Sequence, residues 1–125
     1  ADLLATYVDA LLEAGADINT RTDALEAPLH SAMFHRANPL LAKILIERGA
    51  DLDLVDADGH TPLHHGIMSA QDLDRLMLLL NAGADPTIKD NEGKAPLDYV
   101  FENETLTNPQ KALLELAIKS SELSR

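Results

Sequence analysis

The 125-residue sequence predicts an all-α repeat solenoid, in which short helices stack in a row. Gly-Ala-Asp triplets begin at Gly15, Gly49 and Gly83, and each begins 34 residues after the one before. Prolines recur at the same step, at positions 28, 62 and 96. A fixed period of this length indicates units that bury their apolar faces only against their neighbours. The composition agrees, because 46% of residues are hydrophobic but only two Tyr and two Phe are aromatic, which favours an aliphatic core on helices.

The prolines predict the start of the first helix of each unit. Proline fixes φ and has no amide N–H, so it suits the first helical position, where that donor would lack a partner. The preceding residues are then the N-caps, namely Ala27, Thr61 and Ala95. Of these three, Thr61 alone carries a side chain that can accept from a free helix amide.

The second helix of each unit follows a polar break. Two of these helices carry apolar residues at the spacing of one helical face. They are Leu40, Leu41, Ile44 and Leu45 in one unit and Leu73, Leu76, Met77 and Leu80 in the next. The expected caps are Asn38 and Asp72, and Asn108-Pro109 is expected to start the final helix. That helix runs through Leu113, Leu114, Leu116 and Ile118 and is expected to end in a polar cap at residues 119–122.

Glycines mark the ends of the second helices and the turns of the connectors. Gly15, Gly49 and Gly83 are predicted to end helices in the left-handed conformation. The 12 residues between each of these glycines and the next proline predict an extended connector with a turn at Gly59 or Gly93. Leu25 stands at the corresponding place in the first connector, so we expect a different turn there.

The order of these elements resembles the ankyrin repeat. Thr61-Pro62-Leu63-His64 matches the first four positions of the T-P-L-H-x-A pattern, and residues 79–85 are similar to the helix end of the family. The resemblance implies helix-turn-helix units with β-turn connectors. We expect one domain with a partial repeat at 1–22, repeats at 23–56 and 57–90, and a C-terminal capping repeat at 91–125. Gly66 replaces the Ala of the pattern, which is expected to weaken its helix by about 1 kcal/mol.

The first repeat is expected to consist of a second helix alone, over Leu3 to Ala14. We therefore expect either that the chain is a fragment of a longer array or that a partner covers its N-terminal face.

Composition excludes several classes of function. The net charge of −11 and the lack of a basic cluster argue against nucleic-acid binding. No Cys is present to form a disulfide or a thiolate nucleophile. No apolar run approaches the roughly 20 residues of a membrane span, and no secretory signal is visible, so we expect a cytoplasmic protein, or one delivered into a host cytosol. No catalytic motif is found, so we expect neither enzymatic activity nor a cofactor.

The five histidines raise the possibility of a metal site. The resemblance implies that His30 and His64 are structural, with rings that hydrogen-bond the turn and the backbone. His60 and His65 are predicted to be surface contacts rather than metal ligands. A zinc site would also need a convergent carboxylate at a recognisable helical spacing, and none is found, so no metal site is predicted. The acidic stretch from Asp51 to Asp58 lacks the Glu that an EF-hand requires and is interpreted as a solvated connector.

The resemblance also implies a concave face made of connector tips and first helices, which such arrays use for binding. Carried over position by position, the family's variable residues predict contacts at Arg21, Asp23, Glu26, Phe34, His35, Val55, Asp58, His60, Met68, Ser69, Lys89 and Glu92. Phe34 and Met68 lie one period apart and are expected to form a binding hot spot.

The predicted function is therefore a non-enzymatic protein–protein interaction module, with an inhibitor or immunity-like protein as a narrower version. The acidity favours a partner with a neutral or basic contact surface. The alternative is a targeting or substrate-recruiting segment of a larger enzyme or bacterial effector. The sequence leaves the oligomeric state open.

Overall fold

The computed structural model describes residues 2–34, 36–70 and 73–123, and this part of the chain contains seven α-helices and no strand. The helices are α1 (Asp2–Glu13), α2 (Pro28–Ala32), α3 (Pro39–Glu47), α4 (Pro62–Ser69), α5 (Asp74–Ala82), α6 (Pro96–Glu102) and α7 (Asn108–Leu123). No helix in these ranges is long and apolar enough to cross a membrane.

The helices form two rows. In the first row α4 contacts both α2 and α6, and in the second row α1, α3, α5 and α7 contact one another in chain order. The pairs α2 with α3, α4 with α5, and α6 with α7 join the rows. The aliphatic core lies between them and includes Leu29, Leu63, Ile67, Leu76, Leu79, Val100, Leu114 and Ile118. This arrangement confirms the predicted all-α solenoid.

The first-row helices begin where the prolines predicted. Pro28, Pro62 and Pro96 each occupy the first turn. The Thr61 hydroxyl accepts from the His64 amide at 3.2 Å, whereas Ala27 and Ala95 make no side-chain cap bond. The prediction that only Thr61 caps its helix is confirmed.

The second-row helices agree with the predicted starts only in part. The Asn38 carboxamide oxygen accepts from the Leu40 amide at 3.0 Å, as predicted. Helix α5 begins at Asp74 with Leu73 in the N-cap position, later than expected, and Asp72 lies outside the described residues.

Helix α7 begins at Asn108, as predicted, but its cap is Thr107. The Thr107 hydroxyl accepts from the Gln110 amide at 3.3 Å, and the Gln110 side chain accepts from the Thr107 amide at 2.8 Å. This reciprocal capping box satisfies two free amides, which places Asn108 inside the helix.

The glycines at the helix ends have φ values of 100°, 86° and 103°, which confirms the left-handed conformation at Gly15, Gly49 and Gly83. The prediction of a different turn in the first connector is wrong. Leu25 itself has a φ of 63°, close to the 80° of Gly59 and the 79° of Gly93. Its amide donates to the Thr22 carbonyl at 2.8 Å, just as the two glycine amides donate three residues back. The three connectors therefore share one turn.

Helix α7 extends to Leu123, one residue past the polar residues 119–122 that were expected to end it. Only Leu114 and Ile118 among the predicted leucine and isoleucine positions are buried. Leu113, Leu116 and Leu123 are 60%, 67% and 87% exposed. One side of α7 packs into the core, and the opposite, solvent-exposed side is also largely apolar.

Candidate partner-binding face

The connector tips and the first-row helices form a continuous surface, which we call the candidate face. The Ala57 amide donates to the Ala24 carbonyl at 2.9 Å, and the Asn91 amide donates to the Asp58 carbonyl at 3.0 Å. These two bonds join each tip to the next along the array. The three tips therefore form one edge rather than three independent loops.

Three exposed apolar side chains follow this face, one at the C-terminal end of each first-row helix. Phe34, Met68 and Phe101 are 42%, 39% and 57% exposed. Neighbouring helix ends are tied together, because Ser69 donates to the Met33 carbonyl at 3.3 Å and Asn103 donates to the Ile67 carbonyl at 2.7 Å. The structure thus places the predicted pair at neighbouring helix ends, with Phe34 just after α2 and Met68 on α4.

Sequence reasoning missed Phe101. It follows Met68 by 33 residues, so a strict search at the period of 34 selects Glu102 instead. A search for an apolar residue near the end of each first-row helix would have found it.

Each tip also exposes a carboxylate. Asp23, Asp58 and Glu92 are exposed, as is Lys89, while Glu26 is half-buried. The predicted site residues in this group are therefore available for contact, and the tips carry more acidic than basic groups.

Several other predicted contact residues hold the fold together. The Arg21 guanidinium donates to the Val55 carbonyl and, at 3.2 Å, to the Leu25 carbonyl, so it binds the first connector to the second. The Ser69 hydroxyl lies against carbonyls of its own and the preceding helix. His35 lies outside the described residues.

His65 and His60 differ from the prediction of surface contacts. His65 is buried, with its Nε2 2.6 Å from Asp56 Oδ2, and its ring meets the Phe34 ring edge-on. His60 is half-buried, with its Nε2 3.2 Å from Asp90 Oδ2. The connectors fold back onto the first-row helices and bring Asp56 and Asp90 to these rings, at sequence separations that no helical spacing indicates.

His30 and His64 confirm the structural role that the resemblance implied. Each Nδ1 accepts from the backbone amide three residues earlier at 3.0 Å, and each Nε2 contacts a carbonyl of the next connector. The carbonyls belong to His60, at 2.9 Å, and Lys94, at 3.0 Å. An amide can only donate and a carbonyl can only accept, so both rings must be neutral with the proton on Nε2. Burial lowers the pKa of both histidines, which agrees with this state.

The two connector aspartates are ionised acceptors. Burial alone would raise the pKa of Asp90, but hydrogen bonds from Tyr99 and from the amides of Lys94 and Glu92 lower it to about 2. The pKa of Asp56 is also lowered, because bonds from His65 and from two amides outweigh burial. Burial and the Asp90 carboxylate together raise the pKa of Tyr99.

Two groups of potential metal ligands occur in the described ranges. The ligand atoms of His30, Asp56 and His65 lie within 4.8 Å of one another, as do those of Asp56, Asp58 and His60. In the first group both ring nitrogens of His30 are engaged with backbone, so ligation through His30 would require breaking one of those hydrogen bonds. The hydrogen-bonding groups of this buried cluster are already paired with one another or with the backbone, as in a structural polar network.

A family model described as ankyrin repeats, in 3 copies, matches residues 4–90, which is more than half of the chain. No curated protein matches the sequence. Ankyrin repeat domains are typically non-enzymatic modules that bind other proteins. The match covers most of α1, all of α2 to α5 and the connectors between them, whose helix starts, left-handed ends and histidine bonds are described above. The chain therefore belongs to the ankyrin repeat family.

Proposed function

We propose that the chain is a non-enzymatic protein–protein interaction module that binds its partner through the candidate face. The observation that carries this proposal is the row formed by Phe34, Met68 and Phe101, one exposed apolar side chain at the end of each first-row helix. Hot spots of protein interfaces are enriched in aromatic anchors, and Met adapts its shape to a partner surface.

The acidic tips favour a partner with a neutral or basic contact surface. Asp23, Asp58 and Glu92 are all exposed beside the apolar row, and the whole chain carries a net charge of −11. Complementary charge raises the association rate and rejects partners of like charge. Rising salt should therefore slow association more than it speeds dissociation.

The proposal is tested first by capturing partners from native lysate with the intact chain. The double variant Phe34→Ala, Met68→Ala should then bind the captured partner at least about 5-fold more weakly, which corresponds to a loss above about 1 kcal/mol. Calorimetry on the purified pair measures this difference.

Leu40→Ala is the matched control. Leu40 is a large exposed apolar residue, but it lies on the second-row helix α3. Unchanged affinity in the folded double variant, or an equal loss in Leu40→Ala, would reject the candidate face as the binding site.

A narrower version makes this protein an inhibitor or immunity-like protein. In that case the captured partner has an activity of its own, and adding the chain at equimolar concentration abolishes that activity. A partner that stays fully active in the complex supports an adaptor instead.

We further propose the repeat boundaries 1–22, 23–56, 57–90 and 91–125. Their support is the equivalence of contacts one period apart. The Asp51 amide donates to the Asn19 side chain at 2.8 Å, and the Asp85 amide donates to the Asp53 side chain at 2.9 Å.

A further inference from the structure

We propose that His65 is a positioning residue of the candidate face, which holds both the Phe34 anchor and the acidic tip at Asp58 in place for the partner. This inference rests on the proposed function, and it assigns a role in binding to a residue that lies buried beneath the face. His65 lies on α4 and is only 8% exposed, whereas Phe34 is 42% exposed and Asp58 belongs to the exposed tip.

The His65 ring is held from two sides. Its Nε2 donates to Asp56 Oδ2 at 2.6 Å, since an ionised carboxylate can only accept. The His30 ring meets it edge-on, with the ring centroids 5.1 Å apart, and both nitrogens of His30 are bonded to backbone. A ring fixed in this way offers the Phe34 side chain one defined surface to pack on.

Phe34 depends on this surface because its backbone is fixed but its ring is not. It lies two positions after the end of α2, and its carbonyl accepts from the Arg75 guanidinium of α5. That bond leaves the side-chain torsions of Phe34 free to change. The His65 and Phe34 ring planes make an angle of 76°, with centroids 5.4 Å apart, which is the edge-to-face geometry of aromatic pairs. His65 therefore sets the direction in which the Phe34 ring points.

The bond from His65 to Asp56 also supports the tip. Asp56 Oδ1 accepts from the amides of Asp58 and His60, both at 2.9 Å, and so closes the turn that exposes the Asp58 side chain. Because Oδ2 of the same carboxylate accepts from His65, one buried group joins the tip to the ring beneath the anchor.

A bond of the same kind recurs one period later, at positions 90 and 99. The Tyr99 hydroxyl donates to Asp90 Oδ2, and Asp90 Oδ1 accepts from the amides of Glu92 and Lys94, both at 2.9 Å. A ring that bonds the tip carboxylate is therefore common to the two units. His65 combines this bond with a contact to an exposed aromatic anchor.

The arrangement bears on affinity because a side chain that is free before binding must be ordered by the partner, which weakens the complex. Phe34 and Asp58 are already directed outward through one buried pair. Loss of the His65 ring should therefore weaken partner binding through Phe34.

Two substitutions separate the two contacts of His65. Gln places an amide N–H near the position of Nε2, so His65→Gln should keep the bond to Asp56 and remove the ring beneath Phe34. His65→Phe should keep a ring and remove the donor. In NMR spectra of the intact chain, His65→Gln should shift the Phe34 ring signals and leave the Asp58 amide near its wild-type position, and His65→Phe should do the reverse. If the unpaired Asp56 carboxylate prevents His65→Phe from folding, His65→Gln alone tests the role of the ring.

His64→Gln is the matched control. It removes a fully buried ring from the same helix, but the neighbours of that ring are those of His60 and Tyr99 rather than Phe34. It should lower stability and leave the Phe34 ring signals unchanged.

Calorimetry with the captured partner then tests whether His65 acts through Phe34. His65→Gln should weaken binding at least about 3-fold in the wild type and have little further effect in Phe34→Ala, because a positioning residue has no role once its target is absent. If Phe34→Ala, Met68→Ala binds normally, the candidate face is not the binding site and this inference falls with the proposed function. Unchanged Phe34 ring signals in His65→Gln, no loss of affinity in that variant, or an equal loss in both backgrounds would overturn the positioning role alone.

Discussion

Leu25 is held in a backbone conformation that glycine occupies in the other two connectors. A positive φ costs an L-residue with a side chain roughly 1–2 kcal/mol. The neighbouring bonds hold it there, because the amide of Thr22 donates to the Glu26 carbonyl at 2.9 Å and closes the turn around it. The connector geometry is thus imposed by the array on a residue that does not favour it.

Leu25→Gly should therefore stabilise the protein by about 1 kcal/mol. This net gain is the backbone strain that glycine relieves, reduced by the extra conformational entropy that glycine gives the unfolded chain. Urea unfolding followed by circular dichroism measures the change. Leu25→Ala keeps the strained φ and serves as the control, so an equal gain in both variants would show that strain at this residue is not the cause.

Gly66 illustrates the opposite case, a glycine with a helical φ at a closely packed position. Its φ is helical, but a Cβ there would lie 2.7 Å from both Leu76 Cδ2 and Met33 Cε. Both side chains are buried, so neither can move into solvent. Ala at this position would require the ends of these side chains to shift, which offsets part of the helix propensity that Ala would add.

Ala27 offers a site where a cap is missing. Thr61 shows that a hydroxyl at the equivalent position accepts from a helix amide, and Ala27→Thr should add about 1 kcal/mol to the free energy of unfolding. Thr61→Ala should lose a similar amount in the same urea experiment. A lower midpoint in Ala27→Thr would mean that the buried site lacks room for the Thr side chain.

At the scale of elements, the units are joined by histidine rings. His30 lies on α2 and His64 on α4, and each ring bridges the N-terminus of its own helix to a carbonyl of the following connector. The Thr61 hydroxyl strengthens the second bridge, because its oxygen lies 2.9 Å from His64 Nδ1. On α6 this position is Asp98, which accepts from the Ala95 amide at 2.9 Å.

This geometry fixes the pH dependence of the bridges. The pKa of each of these histidines is lowered from 6.5 in the folded chain, so unfolding takes up protons below that pH. Their contribution to stability should be complete above about pH 6.5 and should be lost as pH falls toward the folded pKa. Urea titrations on either side of this value should show the decline.

Nitrogen-15 spectra of the rings provide the residue-specific check. Both histidines should carry their proton on Nε2 at neutral pH. A proton on Nδ1, or a charged imidazolium on either ring, would contradict the bridging geometry.

At the scale of the whole molecule, the helices differ in how many other helices they pack against. In the described part of the chain α1 packs only against α3, whereas α4 packs against α2, α5 and α6. A bidentate ion pair between Arg48 and Asp9, at 2.8 and 3.0 Å, supports the contact of α1. This pair is partly exposed to solvent, so its contribution is screened.

Hydrogen exchange should show this difference. Amides of residues 3–12 should exchange faster than those of α4, because local opening of α1 breaks fewer packed contacts. Asp9→Asn should speed exchange in α1 further and leave α4 unchanged. Equal protection of α1 and α4 in the wild type would contradict this prediction.

The sequence predicted those features that depend on backbone chemistry at single residues. Proline marks the helix starts and glycine the left-handed ends, and both act locally. The bond between His65 and Asp56 could not be predicted in the same way, because it forms only when a connector folds over the next helix. The exposed leucines of α7 were missed for a similar reason, since apolar periodicity does not distinguish the side that faces the core.

The forward direction of the histidine bridges has a consequence for how such a chain can lengthen. Each bridge joins a ring in one unit to a backbone carbonyl in the next, and a carbonyl is present whatever the side chain there is. A tandem duplication of residues 57–90 would therefore create a new junction whose bond already has both partners. Asp98 of α6 accepts only from the amide at the start of its own helix and replaces the ring with a shorter side chain, so a unit copied from the middle of the array would bring a histidine bridge with it and a unit copied from α6 would not.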